Sequence, residues 1–161
     1  MTERHTIAPV YDENSRILIL GSFPSVRSRE VGFFYGHQQN RFWRTLAHVF
    51  GERIPQTTEE KICFLLTYRI ALWDVIFSCE ITGSSDSSIK NAIPNDLGII
   101  LNQAPIERIF TNGTTAHRLY FRFLQPQLGR EAICLPSTSP ANAAWTQEKL
   151  NRAWARITES Q

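Results

Sequence analysis

Three short segments hold most of the residues able to do chemistry. Gly21-Ser22-Phe23-Pro24-Ser25 is a turn of small residues, whose backbone can approach a ligand closely and aim several amide N–H groups at it. The run from Gly32 to Trp43, GFFYGHQQNRFW, sets Phe33, Phe34 and Tyr35 beside His37, Gln38, Gln39 and Asn40. Aromatic faces next to amides suit a slot that stacks a planar base and bonds its edge. Leu135-Pro136-Ser137-Thr138-Ser139-Pro140-Ala141-Asn142 is stiffened by proline, and its hydroxyls and amides are neutral donors for phosphate or for a groove edge. Each segment also has a plain structural reading: a turn, an aromatic cover over the core, and a strand-to-helix connection. A nucleophilic serine is poorly supported. Ser22 lacks the Gly-x-Ser-x-Gly elbow, and Ser137 has no Asp and His set convincingly around it.

Charge is modest overall but unevenly spread. The formal net charge is +2, yet Arg27, Arg29, Arg41 and Arg44 stand against Glu30 alone between Val26 and Arg44, where phosphates would be gripped. Cys63, Cys79 and Cys134 are far apart, and the four histidines do not cluster with them. A zinc site or a disulfide framework is therefore not expected, and small buried thiols are. Residues 1–5 contain no apolar signal segment, and no run approaches the roughly 20 apolar residues of a membrane span. These features predict a soluble, cytoplasmic protein.

The elements that must position these segments follow from hydrophobic pattern and punctuation. Ile17 to Leu20 reads as a buried strand ending at Gly21. Asn40 can cap a helix that runs to Phe50 and stops at Gly51, and Thr57 or Thr58 can start another that reaches Arg69. Leu72 to Phe77 is a second strand, and the polar stretch 83–88 is a loop. A short helix over Asp96 to Gln103, a strand over Ile106 to Phe110 and a helix over Thr114 to Leu124 come next. A strand over Ala132 to Leu135 precedes a final helix, from about Ala143 to Ile157, that buries Trp145, Leu150 and Trp154. A chain of 161 residues with 42% hydrophobic content, no repeat and no long linker predicts one domain. Alternating strands and helices predict a three-layer α/β/α sandwich around a central, mostly parallel four-stranded sheet. Ligands bind beyond the carboxyl ends of such strands, so the loops after Leu20, Asp74, Phe110 and Leu135 should line one cleft.

The three segments, in this order, resemble the uracil-DNA glycosylase superfamily, whose members carry Gly-x-x-Pro after the first strand and a Pro-Ser motif after the last. The hypoxanthine branch of that family matches best, through Val10 to Asn14, Leu18 to Ser25, Tyr35 to Trp43 and Leu135 to Ala141. The match spans nearly all of the chain. The resemblance implies a monofunctional enzyme that acts as a monomer on double-stranded DNA containing a deaminated base, in the cytoplasm and on the nucleoid. It would flip the base from the duplex and hydrolyse the N-glycosidic bond. Water, positioning and charge stabilisation suffice for that reaction, so no cofactor is expected.

The resemblance further implies that Asn40 holds a water through its amide oxygen, with His37 close enough to assist. Phe23 and one of Phe34 or Tyr35 would stack on the base, and amides of Gly21, Ser22 and their neighbours would stabilise the leaving group. Asp74 would accept from the base edge, repelling the N1 lone pair of adenine. Ser25, Arg41, Pro136, Ser137, Thr138, Ser139 and Pro140 would hold the DNA. Asn40 read alone is also a helix cap, and Asp74 a turn cap. Phe23 stands where many relatives have Asp or Asn, Leu135 where uracil enzymes have His, and Gln38 where many have Pro. The first two departures argue against a uracil-type enzyme. A uracil or thymine mismatch glycosylase and a non-catalytic DNA-binding α/β module remain the alternatives.

Overall fold

The computed structural model describes residues 2–85 and 88–159. In chain order the elements are β1 (Thr2–Arg4), β2 (Ile17–Gly21), α1 (Val26–Val31), α2 (Phe42–Phe50) and α3 (Thr58–Thr67). β3 (Ile70–Asp74), β4 (Ile76–Glu80), β5 (Lys90–Pro94), α4 (Gly98–Leu101) and β6 (Arg108–Asn112) follow. The chain continues with α5 (Thr114–Phe123), α6 (Gln125–Leu128), β7 (Ile133–Leu135) and α7 (Gln147–Trp154), then a 3-10 turn over Ala155–Thr158.

β2, β3, β6 and β7 form a four-stranded sheet in the order β3-β2-β6-β7, and every pairing is parallel. Leu18, Ile19 and Leu20 are wholly buried, as a continuous apolar run should be in a central strand covered on both faces. The β2-to-β3 connection runs one way along the sheet and the β6-to-β7 connection the other. Right-handed crossovers then place α2 and α3 on one face and α5 on the opposite one. α7 returns to pack against α2. Among the described residues, no helix is long and apolar enough to cross a membrane.

A second sheet, antiparallel and ordered β1-β4-β5, was not expected from the sequence. The strand expected over Leu72 to Phe77 divides between the two sheets at Val75. Side-chain Nδ2 of Asn95 donates to the carbonyls of Asp74 (2.9 Å) and Ile76 (3.2 Å), and the Val75 amide turns back to the Gly21 carbonyl (2.8 Å). That corner ends β3 at Asp74 and starts β4 in a new direction.

Other boundaries also shift. The helix expected to reach Arg69 stops at Thr67, because Arg69 takes a left-handed φ of 60° and sends Ile70 into β3. The final helix begins at Gln147, capped by the Thr146 side chain, so the half-buried Trp145 precedes it. Of the polar loop at 83–88, Asp86 and Ser87 lie outside the described residues.

Candidate active site

The carboxyl ends of the four parallel strands bring together the loops after Gly21, Asp74, Asn112 and Leu135. At the first two, three residues converge. A Cβ added to Gly21 would come within 2.3 Å of Asp74 Oδ1 and 2.8 Å of the Tyr35 hydroxyl, so only glycine lets both groups close over the strand end. The Tyr35 ring stacks on Phe42 with centroids 4.0 Å apart, on a backbone with φ of 53°. Asp74 is buried, and its Oδ2 lies 2.8 Å from His5 Nε2. His5 reaches this point because β1 pairs with β4, in the register Arg4 to Ser78. The Gly21-to-Ser25 turn is anchored on its acceptor side: the Val75 and Ile76 amides donate to the carbonyls of Gly21 and Ser22 (2.8 and 3.0 Å).

The other two strand ends are tied to Asn40 through Thr138, which is 0% exposed. Asn112 grips Thr138 twice, donating from Nδ2 to Oγ1 (3.0 Å) and accepting the Thr138 amide at Oδ1 (3.0 Å). The Thr138 hydroxyl then donates to Asn40 Oδ1 (2.9 Å), which also accepts the Phe42 amide (2.9 Å). The Phe42 contact fixes the orientation of the carboxamide, since only its oxygen can receive an N–H. Gly113 permits the close approach, because a Cβ there would meet Ser137 Cβ at 3.0 Å. Asn40, on the loop before α2, is thus hydrogen-bonded to the loop after β7. That loop is in turn held to the end of β6.

This geometry corrects several expectations. Both lone pairs of Asn40 Oδ1 are engaged, so the amide oxygen is not the atom that holds water; the carboxamide can offer only Nδ2–H. Arg41, expected on DNA, points inward. Its guanidinium donates to the carbonyls of Ser139 (3.0 Å), Asn142 (3.1 Å) and Trp145, and its amide donates to the Thr138 carbonyl (3.0 Å). It clamps the loop after β7. The hydroxyl of Thr138 is likewise internal and unavailable to DNA. Phe34 is 1% exposed and Phe23 7%, the latter enclosed by His5 and the Arg29 guanidinium. Neither presents a free face to a base, whereas Tyr35 remains half-buried.

The remaining candidates are placed as follows. His37 is exposed, and its Nδ1 accepts from the Gln39 amide (3.1 Å). Ser25 caps α1, accepting from the Ser28 amide at 3.1 Å. Ser137 and Ser139 accept from the amides of Ser139 and Ala141 within their own loop, the Pro136 carbonyl accepts from Trp154 Nε1 (2.9 Å), and Pro140 is exposed. The local positive charge is also partly internal to the protein: Arg27 pairs with Glu30 and Arg29 with Glu3. Among the cysteines, Cys63 is exposed, contrary to the expectation of buried thiols.

Sequence reasoning missed His5 and Asn112. Asn112 ends an apolar strand just before a glycine of positive φ, which is a signal for a loop-anchoring amide at a strand end. His5 carried no local signal.

A family model describing the uracil DNA glycosylase superfamily matches residues 8–158. The chain belongs to that superfamily. The glycosylase is 37% identical over 142 residues to a hypoxanthine DNA glycosylase of Methanosarcina acetivorans, covering 87% of this chain and 89% of that protein. It is 34% identical over 136 residues to a hypoxanthine DNA glycosylase of Methanosarcina barkeri, covering 83% and 85%. A candidate uracil DNA glycosylase from Methanosarcina acetivorans, solved in solution by NMR, superposes on the glycosylase with a TM-score of 0.80 at 33% identity, over 99% of this chain and 100% of that one. The reaction class is hydrolysis of the N-glycosidic bond of DNA.

Proposed function

We propose that the glycosylase excises hypoxanthine from deoxyinosine in double-stranded DNA, the first step of base-excision repair. The observation that carries this reading is the Asn112–Thr138–Asn40 chain of hydrogen bonds, which joins the segment after Tyr35 to the loops after β6 and β7 at the carboxyl ends of the sheet. The names of the two Methanosarcina relatives support hypoxanthine as the substrate.

The mechanism follows from what these groups can do. A base must leave the stack to be reached, and a mispaired base pays less for it, about a few kcal/mol in either case. The Tyr35 hydroxyl stands over Gly21 and Asp74, so it moves aside as the base arrives and its ring then lies along the purine. Asp74 Oδ1 accepts from the N1–H of hypoxanthine, an interaction that adenine cannot offer. Cleavage leaves positive charge on the sugar and negative charge on the base. Amide N–H groups of the Gly21-to-Ser25 turn stabilise the base, where one aimed donor is worth roughly 3 kcal/mol. Asn40 Nδ2–H holds the attacking water by its oxygen. This orients one water lone pair toward the sugar carbon; as the C–O bond forms the water gives up a proton to solvent, and the base anion takes up a proton to leave as neutral hypoxanthine.

Alkali cleavage of duplexes that each carry one damaged base tests the assignment. Strand scission at hypoxanthine is expected to exceed that at uracil, and uracil preferred over hypoxanthine would overturn the substrate. Asn40→Ala is expected to suppress scission while leaving duplex binding intact. Equal loss of binding and cleavage would reduce Asn40 to a structural residue.

A further inference from the structure

We infer that His5 is a positioning residue for base selection: it holds Asp74 as a hydrogen-bond acceptor aimed at the base edge. The inference rests on the reading of Asp74 given above and adds the group that sets its state. Nδ1 of His5 faces the Ile7 amide, 3.3 Å away, and Nε2 faces Asp74 Oδ2 at 2.8 Å. The Ile7 N–H is a donor, so Nδ1 must accept and the ring proton sits on Nε2. An imidazolium would set N–H against N–H at Nδ1. The ring is therefore neutral, and it donates to the carboxylate rather than receiving from it.

Packing leaves the ring little alternative. Phe23, Phe34 and Trp73 surround it, each with its centroid 6.1 Å away, and the two side chains of the pair are 1% and 5% exposed. One carboxylate oxygen is thus committed to His5, and the other is left beside Gly21, at the strand end where the base is read. A carboxylate in this state accepts N1–H and repels a lone pair at N1. A carboxyl free to protonate or rotate would do neither reliably. The selectivity filter therefore has two parts, contributed by the end of β3 and by the segment that follows β1.

Single-turnover excision of hypoxanthine and of unsubstituted purine, which has a lone pair at N1, reads the filter as a rate ratio. His5→Leu removes the donor and should lower that ratio about tenfold. His5→Gln keeps an acceptor near Ile7 and a donor near Asp74, and should stay within about threefold of the parent. A folded H5L with the parent ratio overturns the role of His5. An unchanged ratio in Asp74→Asn overturns the underlying reading of Asp74, whatever His5 does. Should H5L fail to fold, long-range 1H–15N correlation on the unaltered glycosylase decides the matter. The Nε2–H tautomer is expected; an Nδ1–H tautomer or a charged ring at neutral pH overturns the inference.

Discussion

Thr138→Val is the most informative single change, because it removes one hydroxyl at nearly constant volume from a site with no solvent exposure. The hydroxyl accepts from Asn112 Nδ2 and donates to Asn40 Oδ1. Loss of these bonds removes about 1 kcal/mol each, and a buried donor left unmet adds about 1 kcal/mol more. Because the carboxamides keep their bonds to the Thr138 and Phe42 amides, the total should settle at about 2–3 kcal/mol. In a protein of this size that lowers Tm by about 5–10 °C. Urea unfolding of the parent, T138V, N40A and the double variant forms a cycle with an expected coupling of about 1 kcal/mol. The excision rate of T138V should fall about tenfold as Asn40 loses one of the two bonds that hold its carboxamide in place, equivalent to about 1.4 kcal/mol. Additive stabilities, with coupling below about 0.3 kcal/mol, and an unchanged rate would refute the network as the device that aligns Asn40.

Three further perturbations address other parts of the structure. Arg41→Met leaves the carbonyls of Ser139, Asn142 and Trp145 without their guanidinium and should destabilise by about 3 kcal/mol in urea. Arg41→Lys should recover only part, since one ammonium cannot span all three carbonyls, whereas the charge-removing Arg41→Met should leave the salt slope of DNA binding unchanged. A lower slope would return Arg41 to the DNA. Gly21→Ala drives a methyl group into Asp74 Oδ1 and should cut excision at least about tenfold in single-turnover assays; an unimpaired rate would show that Asp74 and Tyr35 are free to withdraw. Burial pushes the Cys134 thiol above its ordinary range, against a smaller opposing effect from Thr111. Its thiolate fraction is thereby reduced at pH 8, so iodoacetamide should label exposed Cys63 first and Cys134 only as pH rises, as followed by mass spectrometry. Labelling of Cys134 ahead of Cys63 at pH 8 would contradict this order.

The parallel sheet and its loops were legible because their signals are local. Ile17 to Leu20 is a pure apolar run before a glycine, and the loop at 135–142 declares itself through two prolines and three hydroxyls. Direction was not legible. Arg41 reads as a cation beside other cations, and nothing nearby in sequence reveals that its acceptors are carbonyls about a hundred residues away. Asn40 accepts the Phe42 amide at its side-chain oxygen, but the cap position of α2 is Arg41, one residue later than expected and without a side-chain cap bond; the second contact of Asn40 depends on Thr138 arriving from the far end of the chain. β1 spans three polar residues with no alternation to recognise, and His5 acquires meaning only through a contact 69 positions away. The split at Val75 was hidden for a related reason, since Asn95 supplies the bonds that make the corner.

The clamp between Arg41 and the segment after β7 also dictates when the enzyme becomes competent. The same loop is fastened by Trp154 to the Pro136 carbonyl, and α7 reaches α2 through Gln147 and Thr45 (3.0 Å). A chain emerging from the ribosome amino end first exposes Gly21, Tyr35 and Asn40 long before those fasteners exist. Such distant closures are also slow to form. A chain translated only as far as β7 lacks both fasteners, and is expected to cut DNA only once α7 has folded onto the loop.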